Sequence, residues 1–474
     1  MLYLLIIIFY LLFTWVSHRD IRWGIYLTLL FLPSYLIRFQ ILGMPATLLE
    51  GMIWLLFIVW LLKLRQEKGL TLNPVKWVKN ILNPQSLILK EQNPIPRFFR
   101  LPMILFLAAA TISAFVSPQL QAALGIWKAY FVEALMFFII FIYNIRTSAQ
   151  VKQVIRILGV LTIVIGLFAI YQKLTGDLIP HPYWAAEATR RVTTFFGYPN
   201  ANALLIAPVL MLTIGNLLTD KKFKLIVINL LVLILGILTI LWAGSTGALL
   251  GIAAGLICFL LFCKKTRIIT IAVLAIVLIV SFTQLPAADY LKQTAGSLVY
   301  TDLPLVPSDV QIRYQQWKET LTMLKDTPIF GAGLNGYQTL MIPYHQFWHI
   351  EIFLYPHNFF LNFWSETGLL GLISIIWILV SFFIISFKFS VFNLKSIKNL
   401  KLKTENYNQS FTYQILTITT SCAMITLLVH GLVDVPYFKN DLAILFWIII
   451  GIIIILYNER RRARVVESDG PENR

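Results

Sequence analysis

Cysteine and charge are both scarce in this 474-residue chain. Cys258, Cys263 and Cys422 all fall inside long apolar runs, which excludes a disulfide framework or a cysteine metal-ligand spacing in the connecting segments. They read as small apolar packing residues. Charged residues make up 13% of the chain against 58% hydrophobic, a balance that excludes a soluble globular domain. The connections also lack an Asp-x-Asp pair, a His/Cys cluster and a phosphate-cradling glycine loop. A metal-dependent transferase or a nucleotide-driven pump is therefore not expected, and no cofactor is called for. A third scarcity is positional. Between Arg267 and Arg460 there is a single arginine, Arg313, and it lies outside the apolar runs.

What the chain has in abundance is apolar stretches long enough to cross about 30 Å of hydrocarbon. They run at 1–17, 24–39, 46–62, 101–116, 125–143, 155–174, 201–219, 225–242, 246–263, 268–285, 367–387, 413–433 and 440–457. Pro33, Arg38 and Pro45 interrupt the second and third, which together read as a broken hairpin. Backbone groups in lipid must be satisfied within each segment, so the expected fold is an all-α polytopic membrane protein of about 12–13 helices. It forms one bundle over 1–464, without internal repeats, followed by a disordered tail at 465–474.

The net charge of +17 sits mostly in alternate connections: 65–100, 221–224, 264–267, 395–403 and 460–462. That is the positive-inside pattern, with no nucleic-acid motif in it. These connections, a turn-rich linker at 65–100 and the C-terminus are then cytoplasmic, while 175–200, 286–358 and 434–439 are external. The large loop 286–358 agrees, holding four Lys or Arg against six Asp or Glu. The N-terminus is external if all thirteen spans cross and cytoplasmic if the broken hairpin does not cross twice. The first apolar run lacks a basic n-region and reads as a retained helix.

The large loop carries a short amphipathic helix. Ser308 and Gln311 fit a capping box, Trp317, Leu321 and Leu324 form an apolar stripe, and Asp326-Thr327-Pro328 stops the run. Arg313 lies one turn before Trp317 on nearly the same face, directed inward. Gly331-Ala332-Gly333 permits a tight bend after it. The loop closes on His357, a residue type suited to base chemistry. Asn358, Asn362 and Glu366 then descend one helix face, and either hydrogen-bond neighbouring helices or line a cavity beneath His357. Thr426, His430 and Asp434 form a second stripe, with His430 and Asp434 able to pair. In the earlier external loop Arg190 and Arg191 precede Asn200; guanidinium groups against the charge bias suit an anionic ligand, a headgroup or a salt bridge with Glu187. Lys128 and Glu133 read as an internal pair or as lying near the ends of their span.

Four stretches carry a likeness to a known family: Arg191-Val192-Thr193 through Pro199-Asn200, Arg313 and Trp317 with Asp326-x-Pro328-x-x-Gly331-x-Gly333, Pro356-His357-Asn358 with Glu366-x-Gly368, and His430-Gly431-Leu432-Val433-Asp434. In their order and membrane placement the chain resembles the O-antigen ligase/polymerase superfamily of bacterial membrane glycosyltransferases. The resemblance implies a multi-pass inner-membrane enzyme that takes a glycan from a polyprenyl diphosphate donor and passes it to a hydroxyl of a glycan or lipid-glycan acceptor, at the outer face. It implies His357 as catalytic base, Arg313, Arg191 and Arg190 as diphosphate ligands, and Asn200, Trp317, Asn358, Asn362, Glu366, His430 and Asp434 around the substrate cavity. Direct attack would invert the anomeric centre, since no paired carboxylates argue for a two-step route. Ligases and polymerases share the donor and differ in acceptor. One position departs from the family: Thr246, in Gly244-Ser245-Thr246-Gly247, stands where relatives often carry an arginine, so either Arg190 or Arg191 supplies that charge or the activity is lost or altered. The alternative reading is a transporter or flippase for a lipid-linked glycan or a small anion, which calls for broken helices and ionisable groups at the membrane midplane.

Overall fold

A computed structural model describes residues 2–41, 44–68, 94–262, 266–275, 309–346, 351–399 and 404–468. Ser308 of the expected capping box, Cys263, and most of the 65–100 linker lie outside these residues, as do 276–308 and 469–474. The chain is an all-α polytopic membrane protein, and each of the thirteen apolar runs carries a helix. These are α1 (Leu2–Arg19), α2 (Ile21–Leu30), α3 (Leu48–Lys68), α4 (Arg97–Val116), α5 (Leu120–Asn144), α6 (Ser148–Thr175), α7 (Pro199–Thr219), α8 (Phe223–Ala243), α9 (Thr246–Phe262) and α10 (Thr266–Ala275). The large loop supplies α11 (Asp309–Asp326) and the short α12 (Tyr337–Met341), and the bundle ends with α13 (Phe359–Asn399), α14 (Thr404–His430) and α15 (Asn440–Ser468). Among the described residues, eight helices are long and apolar enough to cross a membrane.

The second and third runs are broken, as Pro33 and Pro45 foretell. Helix α2 stops at Leu30, a 3-10 turn follows over Leu32–Leu36, and strands β1 (Arg38–Ile41) and β2 (Met44–Thr47) pair antiparallel before α3 begins. Two readings need correction. Lys128 pairs with Glu50 at 3.1 Å, not with Glu133, whose carboxylate instead accepts from Trp54 Nε1 at 2.8 Å. The two side chains stand five residues apart, across the π turn Trp127–Val132, and each takes its partner from α3. The expected tail at 465 is also premature, because α15 continues to Ser468.

Helix α15 is the central element, nearly buried along its membrane length. Its Trp447 joins Phe106, Phe131, Phe363 and Tyr437 in an aromatic cluster with ring centroids 5.0–5.9 Å apart. Tyr437 donates to the Tyr130 carbonyl at 2.8 Å and accepts from Trp447 Nε1 at 3.2 Å. The connection 434–439 is thus held on a rigid floor. Helix α14 packs closely on α9 because Gly247, Gly251 and Gly255 face it: a Cβ on Gly247 would stand 2.8 Å from His430, and one on either of the others would meet Thr426. This spacing brings the start of α9 beside the end of α14.

Helix α13 starts at Phe359, eight residues before the apolar run, and breaks at Gly368 (φ 67°, ψ −176°). The Leu369 amide donates to the Ile329 carbonyl across the break at 2.9 Å, and the Ala332 amide donates to the Ser365 carbonyl at 2.6 Å. Gly331 (φ 65°) and Gly333 (φ 77°) make the expected bend and press into the gap between α13 and α4. Glu366 seals the joint by accepting from the Asn335 amide at 2.7 Å. Gly368→Ala should therefore destabilise by more than about 2 kcal/mol, since its backbone conformation is almost exclusive to glycine and a Cβ would collide with the Ile329 carbonyl. Thermal unfolding in detergent checks this, and an unchanged midpoint contradicts it.

Candidate functional site

The site is assembled where three connections meet at one end of the bundle. In the first, Gln172 of α6 accepts from the Thr193 and Thr194 amides at 2.9 and 2.7 Å, which shapes the turn ahead of α7. Thr194 itself sits at φ 50° and hydrogen-bonds Asn202. The two arginines of this loop part company. Arg190 donates to the carbonyls of Ala185, Lys173 and Leu174, closing the C-terminus of α6 away from the other candidates. Arg191 turns the opposite way, donating to the Ala243 carbonyl at 2.8 Å, to the Gly244 carbonyl at 3.3 Å and to Asn200 Oδ1 at 3.2 Å.

From Asn200 the network continues. Its Nδ2 donates to Asp434 Oδ2 at 3.2 Å, and Asp434 Oδ1 stands 3.7 Å from His357 Nδ1. That last spacing is an ion-pair distance and too long for a hydrogen bond, so Nδ1 has no hydrogen-bond partner among the described residues. The Asp434 side chain is 11% exposed and that of His357 29%. Burial pushes the Asp434 carboxyl up, but His357, His430 and the Val435 amide outweigh it and hold the group well below the usual carboxylate range. Its stabilising contribution is then complete above about pH 4, where an unfolded aspartate is ionised, and falls away as the pH drops through the lower folded value.

His357 is held in an unusual pose. It adopts φ 46°, and the backbone on both sides of it is tied down. Before it, Gln316 Nε2 donates to the Tyr355 carbonyl at 2.7 Å and Trp317 Nε1 to the Pro356 carbonyl at 2.9 Å. After it, Asn358 caps α13 by accepting from the Phe360 and Leu361 amides, each at 3.1 Å, and donates to the Leu432 carbonyl at 3.0 Å. The Phe359 amide reaches the Gly431 carbonyl at 2.6 Å. Arg313, one turn before Trp317 on α11, donates through Nη1 to the Val433 carbonyl, next to Asp434. No carboxylate pairs with it among the described residues.

Five expected residues therefore converge through the 432–434 segment: Arg191, Asn200, Arg313, His357 and Asp434. Trp317 and Asn358 position the backbone around His357, and Glu366 serves the α13 joint. His430 is buried against Gly247, and Asn362 is wholly buried with neither amide atom partnered among the described residues. Two contributors escaped the sequence reading. Gln172 sits within an apolar run where no motif marks it. Lys439 did leave a signal, as a cation on an otherwise acid-biased connection; its ammonium lies 4.6 Å from the Tyr198 ring centroid, and burial pushes its pKa down against the pull of Asp441 and Asp434.

Residues 231–376 match the family model described as O-antigen ligase. That stretch is of the O-antigen ligase family. It contains Arg313, Trp317, His357, Asn358, Asn362, Glu366 and the Gly368 break, so the resemblance to the superfamily seen in the sequence is borne out. The match and the apolar helices together mark a multi-pass membrane protein similar to O-antigen ligases. The chain is also similar to an uncharacterised protein of Haemophilus influenzae, 27% identical over 180 residues. That alignment covers 34% of this chain and 43% of the relative's length.

Proposed function

We propose that this protein transfers a glycan from a polyprenyl diphosphate carrier to an acceptor hydroxyl, at the outer face of the bacterial inner membrane. The observation that carries the reading is the meeting of Arg313, with no carboxylate partner among the described residues, and His357, backed by Asp434, over the single segment 432–434. A diphosphate is already a good leaving group at neutral pH, so its departure needs cationic stabilisation more than an acid. Arg313 supplies it, with Arg191 beside the start of α9. Arg191 lies against Gly244, two residues before Thr246, and so stands in for the arginine that relatives often carry there. Arg190 has no part in this.

His357 acts as general base. Its Nδ1 faces Asp434, which leaves Nε2 to take the proton of the acceptor hydroxyl as that oxygen bonds to the anomeric carbon. The bond from that carbon to the diphosphate breaks, the electron pair leaves with the diphosphate, and the configuration inverts. The membrane orientation follows from charge. Lys152 and Arg156, both on Asp220, and Arg146 and Arg462 gather at the far ends of α6, α7 and α15, roughly 30 Å along α7 from Asn200. Under the positive-inside rule that end is cytoplasmic and the site external.

One observation favours transport: α13 is broken beside the buried Glu366. The backbone of Ile329 to Ala332 fills that break and Glu366 Oε2 accepts from the Asn335 amide, which supports reading it as a docking joint. The deciding experiment supplies a labelled glycan on polyprenyl diphosphate in proteoliposomes. A glycosidic product and released diphosphate are expected, while solute flux without product would overturn the reading. In the same assay Arg191→Ala should lose more than about tenfold in rate. Arg190→Ala should keep its rate per folded molecule and unfold at lower temperature, having lost the carbonyl contacts at the end of α6.

A further inference from the structure

Lys439 closes the 434–439 connection, and the stability of its own helix does not account for it. Its carbonyl accepts from the Ala443 amide at 2.9 Å, so it stands at the N-cap of α15. A lysine is a poor residue there, since it sets a cation at the positive end of the helix dipole and offers the first-turn amides no acceptor. The ammonium is also uncommitted. Among the described residues it makes no hydrogen bond and no ion pair, and it rests over the Tyr198 ring, 4.6 Å from the centroid. Asp434 and Asp441 act on it through space, neither within ion-pair distance. A cation–π contact offsets part of the cost of drawing an ammonium out of water, but it leaves the N–H donors open.

That ammonium is within reach of a ligand and shares a floor with the base. Lys439 is partly exposed, and the Tyr198 ring it covers is 54% exposed. The preceding residue, Phe438, is 1% exposed and packs on Tyr355, two residues before His357, with centroids 5.7 Å apart. Tyr198 lies two residues before Asn200, which bridges Arg191 and Asp434. Lys439 and Tyr198 therefore belong to the same two segments, 198–200 and 433–439, that gather Arg191 and Arg313. We infer that Lys439 is a further ligand of the donor diphosphate, its ammonium taking an oxygen of one phosphate while the guanidinium groups hold the other. Tyr198 is then a positioning residue that keeps the ammonium aimed. That the anion is a lipid diphosphate rests on the transferase reading above; that Lys439 binds an anion does not. A compact point charge suits a single phosphate oxygen, where no planar fork is needed. Cations at both phosphates also discriminate the donor from a carrier that bears one phosphate alone.

The test measures binding without acceptor, by native mass spectrometry of the full-length protein in nanodiscs, with undecaprenyl diphosphate and undecaprenyl monophosphate as probes. Lys439→Met should lose about tenfold or more in affinity for the diphosphate and less than about threefold for the monophosphate. It should unfold no earlier than the wild type, because α15 sheds an unfavourable cap charge. Lys439→Arg should stay within about threefold of the wild type for both probes, since it keeps the cation. Tyr198→Phe, which keeps the ring, should also bind as the wild type does, whereas Tyr198→Leu should lose diphosphate affinity several-fold. Undiminished diphosphate binding in Lys439→Met, or an equal loss of both probes, overturns the inference. If the binding pattern holds while the proteoliposome assay yields no product, the transferase reading falls alone. If product forms and the pattern is absent, only the present inference falls.

Discussion

His357→Ala should reduce glycan transfer by about 10²–10⁴-fold, the usual contribution of a positioned general base. Protein level and membrane insertion should stay unchanged, because the side chain is 29% exposed and makes no hydrogen bond through Nδ1 among the described residues. Its neighbours hold the loop instead: Trp317 and Gln316 grip the carbonyls before it, and Asn358 and Phe359 tie the residues after it to Leu432 and Gly431. Alanine at φ 46° carries some strain but displaces none of these contacts. The loss should therefore appear in kcat, with the donor KM little altered, since the imidazole acts on the acceptor proton. Asp434→Asn should lower kcat by a smaller factor, because the imidazolium formed during transfer loses its counter-charge. The wild-type Asp434 carboxyl is held below the usual range, so it stays ionised across neutral pH and should contribute no limb to the pH–rate profile there. Full activity in His357→Ala would remove the base from the mechanism.

Arg313→Ala should cost about 10²–10³-fold in kcat/KM, comparable to removing a principal donor to a developing negative charge. Arg313→Lys should recover only a small part of this. An ammonium is a point charge and cannot hold the Val433 carbonyl while presenting a planar fork to a diphosphate. Steady-state kinetics with the lipid-linked donor separates the two substitutions, and raising the ionic strength should weaken the wild type less than an exposed cation site would predict. If both variants kept wild-type rates, the diphosphate would have to be bound elsewhere.

Much of the architecture was legible in the chain. Hydropathy located a helix in every apolar run, and Pro33 and Pro45 marked the one pair that breaks. Asp326-Thr327-Pro328 and the glycines at 331 and 333 marked the end of α11 and the turn that docks it. Local signals of this kind depend on backbone hydrogen bonding and lipid exclusion, which act over a few residues. Where a neighbouring helix supplies the partner, the reading went wrong: Lys128 pairs with Glu50 and Glu133 accepts from Trp54, both on α3.

Sequence alone determined that this is a helical membrane protein and which residue types are candidates for its chemistry, because the bilayer leaves a chain few ways to satisfy its backbone and a scarce arginine or histidine stands out against so apolar a background. Only the tertiary structure decided their roles. Arg190 and Arg191 are adjacent in the chain, yet one closes α6 and the other joins Asn200 and Asp434, a choice made by the Gln172-held turn and the packing of α8 on α6 and α7. Asn358 and Glu366 likewise became a cap and a joint when the 329–336 loop and Leu432 came within hydrogen-bond reach. Hydrogen bonds are directional and short, so a side chain's partner depends on which distant segment packs beside it, and no spacing along the chain encodes that.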